Sequence, residues 1–338
     1  MSANFPGTYK VPFTRDYERL HRKLTKEACN QLDTQGYVVI DNCFGHAWAS
    51  ALLDEMRWLH ETQQFKPNKT QFALTQNLTE DGKPRAFHFV KPHIYEADLH
   101  DAAVRTKVPE LDALFHSTDL VRILMTALPH YDLQCGTGNR TIKLQRNAGH
   151  GGCFPCHYDN PGSPNKRKVT CLLYLNEAWS QLDGGELQLF PFLQPSVRIA
   201  PRMDRVVFFQ SDLMLHRVLP SHAERYVLTI WLDGGKVNAP DESQLCLTPS
   251  DLADWFGFVD RMRRSPLQRL LSRGVYEDEY YESLMECMQS TSTEGCVELL
   301  KSHETHLENV KRNLSLANLI QRLRDVREMS HEDPVYAD

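Results

Sequence analysis

VTCLLYLNEAWSQLDGGELQLFPFLQPSVRIAPRMDRVVFFQSDLMLHRVLPSHAERYVLTIWLDGG, residues 169–235, is a succession of short apolar runs closed by turn residues. The runs at 169–176, 186–190, 196–199, 205–210, 215–219 and 226–232, with 141–145 upstream, recur at about the 8–12-residue spacing of an all-β sandwich or barrel. Gly184-Gly185 and Pro201-Arg202-Met203-Asp204 are turn chemistry between them. The spacing predicts a mainly β core at about 139–233 inside an α+β chain.

Working outward, residues 1–23 carry Pro6 and Pro12 and are expected to form an extended N-terminal arm. A helix is expected at 24–34, a β-branched strand at 37–40 after Gly36, and a helix at 46–64. In the last of these, Trp48, Leu52, Leu53, Met56 and Leu59 fall at helical spacing. The polar stretch 65–91 reads as loop or hairpin, and 101–128 as helical. After Gly234-Gly235 a polar linker leads to Thr248-Pro249-Ser250-Asp251, a helix start. Helices are expected at 251–271, 276–289 and 294–328, the last with an apolar stripe (Leu307, Val310, Leu314, Leu316, Leu319, Leu323) that packs on the body. The division is an arm at 1–23, a domain at 24–235 and a helical C-terminal extension at 236–338.

At 338 residues, with 41% hydrophobic and 24% charged side chains, the chain has the composition of an ordinary soluble globular protein. A net charge of −6 argues against a general nucleic-acid binder. No apolar run approaches the ~20 residues that span a bilayer, and the first sixteen residues hold no signal-like apolar stretch. The expectation is a cytoplasmic or nuclear protein with no nucleic-acid or membrane partner. Its nine cysteines then read as reduced thiols.

Within the strand series lies His157-Tyr158-Asp159. The first and third residues of an extended segment share a face, so both ligand-type side chains point the same way. His216 stands 57 residues after Asp159 on another expected strand, and Arg225 nine residues later. Two imidazoles and a carboxylate make the facial triad of non-haem Fe(II) oxygenases, which leaves iron positions open for a cosubstrate and O₂. On 225–231, Arg225 shares a face with Val227, Thr229 and Trp231. An inward arginine there is costly without an anion. A dicarboxylate cosubstrate would supply one; a protein carboxylate is the alternative. The triplet alone is weak evidence, because His130-Tyr131-Asp132 repeats it. That copy follows a helix and Pro129 and precedes the strands, so it is assigned a structural or surface role. His222 is expected to be solvated in its turn.

The segments HYDNP (157–161), VTCLLYLN (169–176), GGELQLFP (184–191) and DRVVFFQSD (204–212), followed by His216 and Arg225-Tyr226, resemble a prolyl 4-hydroxylase domain. The chain is most similar to the intracellular, hypoxia-inducible-factor-type prolyl hydroxylases and to their protist relatives, which act on an adaptor of ubiquitin ligases. The similarity covers about two-thirds of the sequence, with little beyond Gly234. It implies a double-stranded β-helix (jelly roll) braced by N-terminal helices. It implies Fe(II) on His157, Asp159 and His216, 2-oxoglutarate and O₂ as cosubstrates, and ascorbate as a candidate cofactor. Arg225 and the Tyr174 hydroxyl would hold the distal carboxylate of 2-oxoglutarate, and Leu172, Leu187, Val218, Thr229 and Trp231 would line its pocket. Where the relatives carry a tyrosine ten residues before the first ligand, this chain has Asn147, which is expected to meet a carboxylate instead. The implied reaction is 4-hydroxylation of a prolyl residue in an intracellular protein, with oxygen sensing as a possible role. The triad and arginine do not choose between proline and another side chain, a free amino acid or a small metabolite. A non-catalytic binding module on the same fold is a further alternative, and the oligomeric state is left open.

A peptide substrate needs a groove beside the iron. The segment 66–92, with Lys83, Pro84, Arg85 and Phe87, is the expected wall on one side, and the C-terminal helices are expected on the other. Cys153-Phe154-Pro155-Cys156-His157 spells C-x-x-C-H, but the histidine belongs to the triplet and no second pair completes a zinc set. Both thiols are expected to pack near the site mouth, where their oxidation would slow turnover. His303-Glu304-Thr305-His306 is not H-E-x-x-H. It is expected to be solvated helix surface, as is the acidic, aromatic run 276–282.

Overall fold

The computed structural model describes residues 15–78, 81–82, 84–237, 245, 247–290, 294–329 and 335–337. It begins with Arg15–Lys23 (α1) and Lys26–Gln35 (α2). The described end of the expected arm is therefore helical. Tyr17 and Leu20, three apart and both buried, give it an apolar face to hide. Thr25 caps α2 by accepting the Ala28 N–H, and Gly36 closes it in the left-handed region at φ 81°. Its N–H returns to the Leu32 carbonyl, and a Cβ there would press on Met214 at 3.0 Å. The chain then enters Tyr37–Ile40 (β1) and His46–Glu61 (α3). The polar stretch after α3 is a long hairpin, Lys66–Leu78 (β2) with Pro84–Asp98 (β3). The helical region that follows breaks into Ala102–Arg105 (α4), Pro109–His116 (α5) and Asp119–Ala127 (α6), with Pro109 starting the second.

The core strands are Arg140–Asn147 (β4), Gly152–His157 (β5), Arg167–Tyr174 (β6), Leu187–Phe190 (β7), Val197–Ile199 (β8), Arg205–Gln210 (β9), Leu215–Ser221 (β10) and Arg225–Asp233 (β11). All seven expected runs are strands, and β5 adds the one that leads into the triplet. One sheet runs β1-β9-β6-β11-β4-β3-β2; the other contains β8-β7-β10-β5. Period-two alternation divides each central strand between two cores. On β6, Cys171 and Leu173 join the core shared with α1–α6, whereas Leu172 and Tyr174 face the second sheet. On β11, Leu228, Ile230 and Leu232 point to the helices and Val227 to the other sheet. The two sheets meet through Leu172, Val207, Phe209 and Val227 on one side and Leu187, Leu189 and Ile199 on the other. This is a jelly roll braced by helices on one outer face. Fully buried Arg205 holds the edge together, donating to both carboxylate oxygens of Asp41 at 2.6 and 2.8 Å.

Beyond the sheets come Pro249–Ala253 (α7), Trp255–Arg263 (α8), Gln268–Val275 (α9), Glu277–Ser290 (α10), Glu294–Arg312 (α11) and Leu314–Met329 (α12). The long apolar stripe is thus two helices that part at Asn313, whose side chain accepts the Leu316 N–H. Leu307, Val310, Leu319 and Leu323 are buried, while Leu314 is exposed. This region does not stand apart from the 24–235 unit. Phe190, Phe192 and Leu215 of the second sheet share a core with Phe258, Leu271, Leu319 and Leu323. The start of α11 lies directly on the hairpin, where a Cβ on Gly295 would meet the His88 carbonyl oxygen at 2.1 Å. Val335–Ala337 (β12) pairs in parallel with β8. No described helix is long and apolar enough to cross a membrane.

Candidate active site

β5 ends on His157 and β10 begins at Leu215, and the two strands pair antiparallel with His157 opposite His216. The imidazoles come within 4.2 Å, centroid to centroid. Asp159, two residues past β5, places Oδ1 at 3.6 Å from His157 Nε2 and 3.7 Å from His216 Nε2. The three donor atoms lie within 4.8 Å of one another. Among the described residues, no other group of three His, Cys, Asp or Glu side chains converges in this way.

The backbone fixes which nitrogen is free. His157 Nδ1 lies 2.8 Å from the Pro155 carbonyl and His216 Nδ1 3.1 Å from the Met214 carbonyl. A carbonyl only accepts, so each Nδ1 carries a proton, which leaves each Nε2 as the nitrogen that can serve a metal beside Asp159. Burial, then the neighbouring His157, push the His216 pKa down to about 4, so its ring is neutral at pH 7. Burial alone would raise the Asp159 carboxyl. Positive charge on His216 or His157, whenever a ring is protonated, and the Thr170 hydroxyl outweigh it and hold Asp159 well below the usual range. Thr170 Oγ1 donates to Asp159 Oδ2 at 2.7 Å and lies 2.9 Å from Ser211 Oγ, so the carboxylate is braced from behind.

The triad opens into a cavity of about 570 Å³. Its inner end, between the sheets, is lined by Leu172, Leu187, Val218, Arg225, Thr229 and Trp231. Arg225 is 4% exposed, packs over the Tyr174 ring at 5.0 Å and forms no ion pair among the described residues. Burial lowers its pKa, but a guanidinium stays charged. Arg225 Nε and the Tyr174 hydroxyl are buried polar atoms without well-formed hydrogen bonds, as is Trp231 Nε1 six residues further along β11, where its ring packs under Arg167. A buried guanidinium N–H and a phenol hydroxyl without well-formed hydrogen bonds suit a carboxylate, and two imidazoles with a carboxylate suit a divalent iron. The residues present therefore fit both Fe(II) and a dicarboxylate cosubstrate.

Residues 142–233 match the family model of the 2OG-Fe(II) oxygenase superfamily. A solved structure of prolyl 4-hydroxylases from Phytophthora capsici is 70% identical, covering 96% of this chain and 100% of that one with a TM-score of 0.80. The chain belongs to the prolyl 4-hydroxylase family. Egl nine homolog 1 of Rattus norvegicus is 28% identical over 211 residues, 59% of this chain and 56% of its own length. The Hypoxia-inducible factor prolyl hydroxylase of Caenorhabditis elegans is 27% identical over 269 residues, 75% of this chain and 36% of its own. The chain thus spans about half, or less, of the curated relatives it matches.

Within this family site, most expected residues converge. His157, Asp159, His216, Arg225, Leu172, Leu187, Val218, Thr229 and Trp231 line one cavity, and Tyr174 lies beneath Arg225. Asn147 does not join them. Its Nδ2 donates to the Gly152 carbonyl at 2.8 Å and its Oδ1 accepts the Gly149 N–H at 3.0 Å. Both polar ends are spent on the 148–151 turn, so it braces the strand end rather than meeting a carboxylate. Lys143 and Gln145, four and two residues earlier on the same strand face, line the cavity instead. His130, as expected, is an exposed partner of Asp33 at 2.9 Å, and His222 is exposed.

Two surface expectations fail in part. His303 is 2% exposed and lines the cavity, as does Tyr280 from the run expected to be solvated. Tyr276 is buried too, and Glu277 and Glu279 pair with Arg324 and Arg327. The helical face carrying them is packed, not wet. Cys153 and Cys156 are buried as packing residues but meet different turns of α10. Cys153 Sγ lies 3.1 Å from Cys287 Sγ, while the Cys156 N–H donates to Ser283 Oγ and its thiol is pushed up to about 11 by burial. In the hairpin, Arg85 is exposed and Phe87 buried; Lys83 and the Pro84 side chain lie outside the described residues.

Proposed function

We propose that this protein hydroxylates a prolyl residue of a polypeptide at C4, as an Fe(II)- and 2-oxoglutarate-dependent dioxygenase working in the cytoplasm or nucleus. The observation that carries this is Arg225, buried with no carboxylate in ion-pair contact among the described residues, at one end of a cavity that holds the triad and opens to the surface at the other. Iron with 2-oxoglutarate and O₂ supplies oxidative hydroxylation of a C–H bond, with succinate and CO₂ as coproducts. The chain's own part is placement. Arg225 and Tyr174 anchor the far carboxylate, and the apolar walls from Leu172, Leu187 and Val218 keep water from the inner pocket. The mouth lies between the hairpin, through Lys91 and Phe89, and the C-terminal helices, through Tyr280, Leu284 and Leu299. Those two walls leave a groove suited to an extended peptide that presents a ring to the triad. Cys43, Cys153, Cys171, Cys287 and Cys296 serve as core-packing residues, and this use of thiols supports an intracellular setting.

The test is aerobic incubation of the iron-loaded enzyme with 2-oxoglutarate and a panel of prolyl peptides, followed by mass spectrometry. One oxygen atom gained on proline per succinate formed is the expected result. Tight succinate formation with oxygen on another residue, or on a small molecule only, would move the substrate away from proline. Failure to bind Fe(II) or consume 2-oxoglutarate would leave a binding module.

A further inference from the structure

Metal and cosubstrate binding leave part of the cavity mouth without a task. His303, on α11, is buried against the Tyr280 ring, with centroids 5.6 Å apart and planes 21° from parallel. Neither of its ring nitrogens makes a well-formed hydrogen bond, although the Glu277 backbone lies near the ring, and the residue lines the cavity. An unpaired buried imidazole is a net cost to the folded chain unless something completes it. Arg273, on α9, lines the same part of the mouth, partly buried. Among the described residues it makes no ion pair or hydrogen bond. Its charge, after burial, helps lower the pKa of His303 and of His306. Glu277, a nearby carboxylate, is already engaged by Arg324 and by Lys311 at 3.7 Å.

The opposite wall has the same imbalance. Lys91 on β3 donates to Asn68 Oδ1 and Thr70 Oγ1, both neutral, at 2.6 and 2.8 Å. The carboxylates lining the cavity are Glu96 and Asp159. Glu96 is taken by Asn68 and Lys143, and Asp159 belongs to the triad. The mouth therefore presents uncompensated positive charge with a buried N–H donor beside it. The Tyr280 hydroxyl is shared with Ser272 Oγ at 3.2 Å, so its ring acts as a platform rather than a donor.

We infer that Arg273 and His303 form a subsite for an acidic side chain of the substrate polypeptide, so that the enzyme selects prolines with an aspartate or glutamate nearby in sequence. The inference rests on the proposed prolyl hydroxylation and names the substrate class that site would take. The guanidinium fork receives the carboxylate through two parallel N–H bonds, and the imidazole N–H takes a remaining lone pair.

The experiment compares prolyl peptides carrying Glu or Asp at each flanking position with their Gln or Asn counterparts, each with a free and an amidated C-terminus. Two readouts run side by side on the iron-loaded enzyme: kcat/KM by mass spectrometry, and Kd of fluorescein-labelled peptides by anisotropy. The wild type should prefer an acidic peptide at one position by about 10- to 100-fold, expressed in KM and Kd. Arg273→Gln should collapse that preference, Arg273→Lys should restore part of it, and His303→Leu should weaken it while raising the melting temperature. Equal affinity for acidic and neutral peptides, or Arg273→Gln weakening both alike, overturns the subsite. A preference that follows the free C-terminus rather than a side chain overturns it too. If acidic peptides bind preferentially but no proline gains oxygen, the subsite stands and the prolyl reading falls.

Discussion

Replacing Thr170 by valine should weaken iron binding about 10- to 100-fold without unfolding the protein. Thr170 is fully buried, and its hydroxyl donates to Asp159 Oδ2 at 2.7 Å while sharing a 2.9 Å contact with Ser211 Oγ. Valine has nearly the same shape, so no cavity opens; what disappears is one hydrogen bond to a buried carboxylate. Hydrogen bonds to charged groups contribute about 1.5–3 kcal/mol, and about 1.4 kcal/mol corresponds to tenfold in affinity. The two routes to the magnitude agree. Without that bond Asp159 rests on its two histidines alone, and the oxygen that should face the metal is free to turn. The assay is anaerobic Fe(II) titration of the apoprotein, with far-UV circular dichroism melts as the folding control. Thr170→Ser keeps the donor and should bind iron nearly as wild type does, and excess iron should recover most of the lost turnover in Thr170→Val. A folded Thr170→Val protein that binds iron as tightly as wild type would refute the brace, as would a Thr170→Ser protein just as impaired.

Arg225→Lys should raise KM for 2-oxoglutarate by about 10- to 100-fold, because a point charge replaces a bidentate fork; succinate formation measures it, and an unchanged KM would remove Arg225 from the cosubstrate. Asn147→Ala strips partners from the Gly149 N–H and Gly152 carbonyl and should cost about 1–3 kcal/mol of stability with little change in that KM; a large KM effect with full stability would return Asn147 to the pocket. Burial lowers the Lys91 pKa from 10.5 to about 8, so the unfolded chain binds more protons between those values and stability rises with pH across that window. Lys91→Met should therefore melt higher than wild type at pH 7, by an amount of order 1 kcal/mol after allowing for water in the open cavity, and the gap should narrow above pH 8; a gap that widens instead would overturn the burial argument. Truncation after residue 235 would bare Phe190, Phe192 and Leu215 and should yield insoluble chain, whereas a soluble, cooperatively melting fragment would show that the C-terminal helices are an independent unit.

The β core was legible because its signals are local. Alternation on 169–176 and 225–232 fixes which residues face which side, and that alone brings Leu172, Arg225 and Thr229 to one wall. His303 was missed although its signal was present. Cys296, Leu299, His303, Leu307 and Val310 recur every three or four residues, so His303 sits on the buried stripe of α11 rather than its wet face. Tyr276, Tyr280, Leu284 and Cys287 repeat the pattern on α10. The eye goes to charged neighbours such as Glu304, but periodicity decides burial. Asn147 was misread for a different reason. Its strand face does point inward, and only the return of the chain at Gly149 and Gly152 offers a nearer partner. No local pattern specifies that closure.

The division of labour follows from where each part lies along the chain. Residues 142–233, the segment matching the superfamily model, contain every metal ligand and every expected cosubstrate residue that lines the inner cavity. The mouth is built from other material: the β2–β3 hairpin before that segment and α9–α11 after it. On the proposed function, chemistry and substrate choice would be carried by separate stretches, joined at β5. That strand ends in His157, pairs with β10, and buries Cys153 and Cys156 against α10. A substitution in the hairpin or the C-terminal helices can change which peptide enters while the triad, braced by Thr170 and the backbone carbonyls of Pro155 and Met214, keeps its geometry. On the proposed function, this arrangement puts the mouth cations and His303 in the path of a peptide to the triad, so discrimination at the mouth would act on binding rather than on the oxidation step.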